Sequence, residues 1–172
     1  MVKKHHIERL KKLCRVMESA KQVEGGYILD LGKDRLLFDI TTWGEGVTGG
    51  HVSDEAADLL TTSTLKKMYP FTGSSCFCGT AACVAGTAGL IPEFRKAGLK
   101  TVGGNVKFVH SNGREEYGED AFSAFFGVSS SDGTYICLPH MYDEPVVTPE
   151  LVVERLKELI SSAEHELAVG AE

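Results

Sequence analysis

Six small residues crowded into one short segment limit what this chain can fold into more than any other feature. Ala81, Ala82, Ala85, Gly86, Ala88 and Gly89 fall within residues 81–90, directly behind Thr80, a residue type that caps helix N-termini well. Glycine inside a helix costs about 1 kcal/mol relative to alanine, so two in one helix need a compensating contact. The simplest is a neighbouring backbone that passes very close, which small side chains allow. The segment is therefore expected as a helix at the centre of the fold. Pro92 then starts a further turn and Gly98 ends it.

The rest of the chain supplies partners for such a helix. Ile7, Leu10, Leu13, Cys14 and Met17 recur at spacings of three and four, the signature of one apolar helix face. Lys11, Lys12, Arg15 and Glu18 fall elsewhere, and Gly25-Gly26 is the expected stop. Residues 27–31 and 36–40 read as short extended segments about a turn at Gly32-Lys33-Asp34. Residues 41–50, which hold Trp43 and four glycines, read as a loop. Ser53 is a plausible cap for a helix through Leu60 and on toward Met68. Residues 99–102 and 106–110 change to a period of two, and Asn112-Gly113 is a strong hairpin signal with 114–117 as the return strand. A helix over 119–126 carries Phe122, Phe125 and Phe126, at a spacing that makes them core, and Gly127 closes it. Ser129 caps one more turn toward Leu138, and 139–145 is loop. Thr148 as cap, Pro149 at the first helical position and Glu150 near the positive dipole end start the last helix. Its apolar stripe is Val152, Leu156, Leu159, Ile160, Ala163 and Leu167. These elements add up to one α+β domain over residues 1–172, mainly helical, with the small-residue helix central and a small antiparallel β-sheet against it.

Composition narrows the function classes. With 42% apolar and 24% charged residues the chain is an ordinary globular one. Eighteen basic against 24 acidic residues leave a net charge of −6, which argues against a phosphate-tracking nucleic-acid binder. No apolar run approaches the ~20 residues of a membrane span, and a patterned helix stands where a signal peptide needs a continuous apolar stretch. Five cysteines, an odd number without a secretory signal, read as reduced thiols in a cytoplasmic protein.

The densest chemical feature is Cys76-Phe77-Cys78-Gly79-Thr80-Ala81-Ala82-Cys83. One reading makes Cys78 a nucleophile, because a helix N-terminus stabilises a thiolate and its N–H groups can hold an oxyanion. The base would be His51, His110 or His140, with Asp143 placed to orient His140. Cysteine before a helix with a later histidine is the papain-like order, although the local papain signature is missing. A second reading gives Cys76, Cys78 and Cys83 to zinc, with Cys137, His110 or His140 completing a tetrahedron. The C-x-C-x4-C spacing departs from the usual C-x-x-C knuckle. The third reading is architectural: free cysteine behaves as a small buried hydrophobe. It is preferred for Cys14, Cys83 and Cys137, and by a narrower margin for Cys76 and Cys78, so no cofactor is expected.

Other features are weaker. His5 and His6 sit beside lysines and read as a solvated N-terminus. The glycines of 44–50 lack the Lys-Ser/Thr of a phosphate-binding loop. Glu115-Glu116 and Glu119-Asp120 form an acidic patch whose functional reading is contact with a basic partner. Trp43, Glu115 and Glu116 are thus the candidate binding residues.

The stretch Cys78-Gly79-Thr80-Ala81-Ala82-Cys83-Val84-Ala85-Gly86 resembles a group of small uncharacterised proteins of tailed phages and bacteria. That group carries C-G-T-x-x-C-x-A-G, a Trp-Gly upstream, an F/L-G-L-S-like element and a T-P-E helix start. The counterparts here are Trp43-Gly44, Phe126-Gly127-Val128-Ser129 and Thr148-Pro149-Glu150. The separation of Trp43 from Cys78 is longer than the group's compact spacing. The resemblance implies a phage-like origin and no particular activity. Together with the incomplete catalytic set, it makes a non-catalytic accessory protein that binds another protein, possibly a host factor, the first expectation. A cysteine-dependent hydrolase or transferase and a zinc-stabilised module are the alternatives.

Overall fold

Helix α1 (Lys4–Glu18) turns Ile7, Leu10, Leu13, Cys14 and Met17 inward, as their spacing requires. In the computed structural model the described residues are 2–23, 26–30, 35–38, 80–102, 105–138, 141–144 and 147–169. The expected Trp43 loop and the expected helix after Ser53 lie outside them.

The helix does not run on to Gly25-Gly26. It stops at Ser19, whose hydroxyl donates to the Val16 carbonyl (2.6 Å) and accepts from the Asp30 backbone N–H (2.9 Å). A serine side chain offers the backbone an alternative to the helical ladder, and here it ties the helix end to the sheet that follows. That leaves room for a strand the sequence did not suggest, β1 (Lys21–Val23). It pairs antiparallel with β2 (Gly26–Asp30), which pairs in turn with β3 (Arg35–Phe38), Ile28 opposite Leu37.

Helix α2 (Thr80–Leu90) is the small-residue segment, and Thr80 is its first residue rather than its cap. Residues 84 to 89 are all buried, with no solvated stripe, which is the pattern of a helix enclosed on every side. It packs against helices α3 (Pro92–Lys96), α4 (Gly118–Phe126) and α5 (Ser130–Cys137) and against strands β4 (Leu99–Val102) and β5 (Asn105–Val109). Its central position is as expected. One hydroxyl is left over: Thr87 Oγ1 is buried with no hydrogen-bond partner.

Strands β4, β5 and β6 (Glu115–Tyr117) form a second antiparallel sheet in that order. The fold is thus α+β and mainly helical, with two three-stranded sheets among the described residues where one was expected. The β5–β6 connection is a three-residue loop. Gly113 at φ +84° closes it, its N–H donating to the His110 carbonyl (2.9 Å), while the His110 N–H donates to the Arg114 carbonyl (2.8 Å). A left-handed residue in this place is what a three-residue hairpin loop demands.

Helices α4 and α5 carry the caps expected of them. Ser129 Oγ accepts from the Asp132 N–H (3.1 Å), and the Asp132 carboxylate accepts from the Ser129 N–H (3.1 Å). Phe122, Phe125 and Phe126 are fully buried, and Phe94 and Phe108 join them with ring centroids 4.4 to 5.6 Å apart. Edge-on geometry dominates these contacts, as the ring quadrupole favours. Arg9 caps the cluster, with its guanidinium 4.0 Å above the Phe125 ring and a 2.7 Å hydrogen bond to the Phe125 carbonyl.

Helix α6 (Pro149–Val169) lies along α1. Val152, Leu156 and Ala163 are buried as expected, but Leu167 is 37% exposed. The apolar stripe outlasts the surface available to cover it. His6 is a second correction: it is half-buried, not solvated. Its ring lies against Gly127, where an added Cβ would come within 1.9 Å of Nδ1 and where φ is +67°. No helix of the described residues is long and apolar enough to cross a membrane.

Candidate functional site

Trp43, His51, Cys76, Cys78 and His140 lie outside the described residues, and Cys83 is a residue of α2. The structure does describe His110, Glu115, Glu116 and Asp143. The first three share the β5–β6 hairpin, and Asp143 is exposed in the turn after α5.

The hairpin owes its position to Phe108. On β5 its ring reaches Phe125 in the core (5.4 Å between centroids) and also meets the His110 ring (4.6 Å). Cross-strand register sets Phe108 opposite Glu116 and Val109 opposite Glu115. Lys107 reaches diagonally to Glu115 (2.6 Å), and Tyr117 Oη donates to the same carboxylate (2.7 Å). The hydrogen bond from Lys107, followed by that from Tyr117, holds the Glu115 carboxyl below the usual glutamate value, and Lys107 is pushed up in return. Arg114 takes Glu116 Oε1 at 2.6 Å. The Glu115-Glu116 half of the expected acidic patch is therefore paired with its own neighbours, while Glu119 and Asp120 are exposed on α4. Lys107 and Arg114, which do this, were not singled out from the sequence; their alternation with Glu115 and Glu116 across a hairpin was the available signal.

His110 stands beside this network without joining it. Its Nε2 is 3.8 Å from Glu116 Oε1, too long for a hydrogen bond, and that oxygen is already held by Arg114. The same nitrogen is shielded from water and has no hydrogen-bond partner. Glu116 thus does not orient the imidazole as the carboxylate of a catalytic triad would.

Two thiols are described, and burial governs both. It pushes the Cys14 thiol up, and the fully enclosed Cys137 much further. Both stay protonated near neutrality, which suits packing and not nucleophilic attack. Among the described residues no three His, Cys, Asp or Glu side chains gather in a way that could hold a metal ion.

The turn that carries Asp143 is anchored by a residue sequence reasoning missed. Arg155 on α6 donates to the carbonyls of Tyr135 and Met141, and its guanidinium stacks on the rings of Tyr135 (3.9 Å) and Tyr142 (3.3 Å). Tyr142 Oη donates to the Ile136 carbonyl (3.0 Å). A planar donor fork serves this double role well. No family model matches the chain, and neither a curated protein nor a solved structure does.

Proposed function

We propose that the chain is a non-catalytic cytoplasmic accessory protein of phage-like origin that acts by binding another protein through the β5–β6 hairpin. The observation that carries this reading is Tyr117, which is 50% exposed on β6, the terminal strand of its sheet among the described residues. Tyrosine and arginine are the side chains that most often dominate binding energy, because they offer large rigid area with a polar tip. Tyr117 and Arg114 supply both types on one short strand and its turn. A terminal strand also leaves backbone N–H and C=O groups on its outer side, which an extended partner segment can pair. Glu115 and Glu116 are engaged by Lys107, Tyr117 and Arg114, so the partner is recognised through the exposed face of Tyr117 and the exposed part of the Arg114 side chain more than through net acidity. The phage-like origin rests on the resemblance at residues 78–86 alone.

The test compares the intact protein with Arg114→Ala/Tyr117→Ala in affinity capture from a bacterial lysate. The expected result is a retained partner whose recovery falls at least tenfold in the variant while the melting temperature holds. Equal recovery by both proteins ends the reading.

A second reading, a cysteine-dependent hydrolase or transferase with Cys78 as nucleophile, is favoured by one observation. His110 Nε2 has no hydrogen-bond partner. Iodoacetamide labelling across pH separates the two readings. A Cys78 that labels with a midpoint well below the free thiol value of ~8.5, and loses this in His110→Ala, supports catalysis. Labelling no faster than Cys14 removes its basis.

A further inference from the structure

Val2, just ahead of α1, the α4–α5 turn and the second half of α6 line an open groove of about 300 Å³. For scale, an apolar cavity of ~150 Å³ accepts a benzene-sized group. Val2, Val128, Leu159 and Ala163 give it apolar walls, and Asp132 and Glu166 give it two carboxylates. No lysine, arginine or histidine is among its described lining residues.

These carboxylates differ from those of the hairpin. Asp132 Oδ2 accepts only from Ser129, through its N–H and its hydroxyl (3.1 and 2.6 Å). Glu166 Oε1 accepts from the Val2 N–H at 3.4 Å. Neither forms an ion pair among the described residues, whereas Glu115 and Glu116 both do. The apolar wall also continues outward. Leu167 lies one helical turn beyond Ala163 on the same face, and Leu167 and Val169 are left exposed. A concave surface with both apolar and polar lining, whose two carboxylates form no ion pair among the described residues, complements an apolar group carried between cations.

We infer that the groove between Val2, the α4–α5 turn and α6 docks a basic segment of another protein, seating one of its apolar side chains beside Val128 and Leu159 and a flanking lysine or arginine at Asp132 and Glu166. This surface goes beyond the hairpin reading and uses none of its residues.

Titration of the ¹⁵N-labelled full chain with the capped peptide Lys-Leu-Lys-Leu-Lys tests it, with Lys-Ser-Lys-Ser-Lys and Glu-Leu-Glu-Leu-Glu as comparisons. Amide shifts are expected at residues 127–132 and 159–166, with affinity for the first peptide at least tenfold above either other. Ser162→Trp, which fills the groove from an exposed position, should lower that affinity at least tenfold. Glu166→Lys should do the same by charge reversal, and so covers the case in which the tryptophan variant does not fold. Tyr117→Ala should leave it unchanged, so that the hairpin reading can fail without this one. Equal binding of the serine peptide, shifts spread outside the groove, or full affinity in Glu166→Lys would overturn the inference. Concentration-dependent shifts at the groove without peptide would also overturn it, since a second copy of the chain would then be the occupant.

Discussion

Phe125 in the helical body and Glu115 in the hairpin are both held by several neighbours, but by different physics. Phe125 is fully enclosed, with Phe94, Phe108 and Phe126 at its edges and Arg9 over its face. Glu115 is exposed and held by a lysine and a tyrosine hydroxyl. Apolar contacts are insensitive to salt and to pH, whereas exposed ion pairs are screened and titrate. The body therefore supplies stability, while the hairpin is a surface whose side chains can be changed at little risk to the fold. Phe108 joins the two regions, in ring contact with both Phe125 and His110.

Mutations can break this division or sharpen it. The largest effect is expected from Phe125→Ala, which should lower the unfolding free energy in urea by about 3–5 kcal/mol by opening a cavity. A loss under 1 kcal/mol would show that the phenylalanine cluster does not anchor the body. Next is Ala88→Leu in α2, where Ala88 is fully buried. Overpacking should cost about 1–3 kcal/mol, and a neutral result would mean that α2 is not tightly enclosed. Ser129→Ala removes the α5 cap and should cost about 1 kcal/mol in the same measurement.

His6 brings titration into the body. Burial first, then the nearby charges of His5, Arg9, Lys3 and the N-terminus, lower its pKa to about 4 from 6.5. The folded state binds this proton less readily than the unfolded chain does. His6 thus costs nothing above pH 6.5 and lowers stability progressively as pH falls from 6.5 toward 4. Urea midpoints for His6→Gln should fall less steeply than wild type across that window. Parallel curves would sink the assignment.

The smallest effect is expected from Glu115→Gln. The native carboxyl titrates below its ordinary value, so its contribution is present above the ordinary glutamate pKa and is lost as pH falls through the lowered folded one. At neutral pH the urea midpoint should barely move, and what difference there is should vanish in high salt. A loss as large as that of Ser129→Ala would make the hairpin structural and erase the contrast.

Much of the body was legible because local rules decide it. The periodicity of α1, the cap and proline that start α6, the Ser129 cap and the closing glycines at 113 and 127 all act within a few residues. The failures are of another kind. Strand β1 exists because Ser19 ends α1 early and bonds to Asp30 across the chain. Leu167 belongs to the stripe by period and is exposed because no neighbour reaches it. Glu115 reads as part of an acidic patch until Lys107 is brought across from the facing strand. Of the candidate site, His110, the two glutamates, Asp143 and Cys137 can be compared with side chains, and Cys137 is enclosed in the core.

By itself the sequence determined most of the described helices, the Ser129 cap, the Gly113 turn and the enclosure of the small-residue helix. Each of these follows from backbone preferences or from the volume of adjacent side chains. Only the tertiary structure decided which charges are paired, which apolar residues stay uncovered and where a groove opens. Those properties depend on residues as far apart as Val2 and Glu166 meeting in space, and no local preference encodes such a meeting.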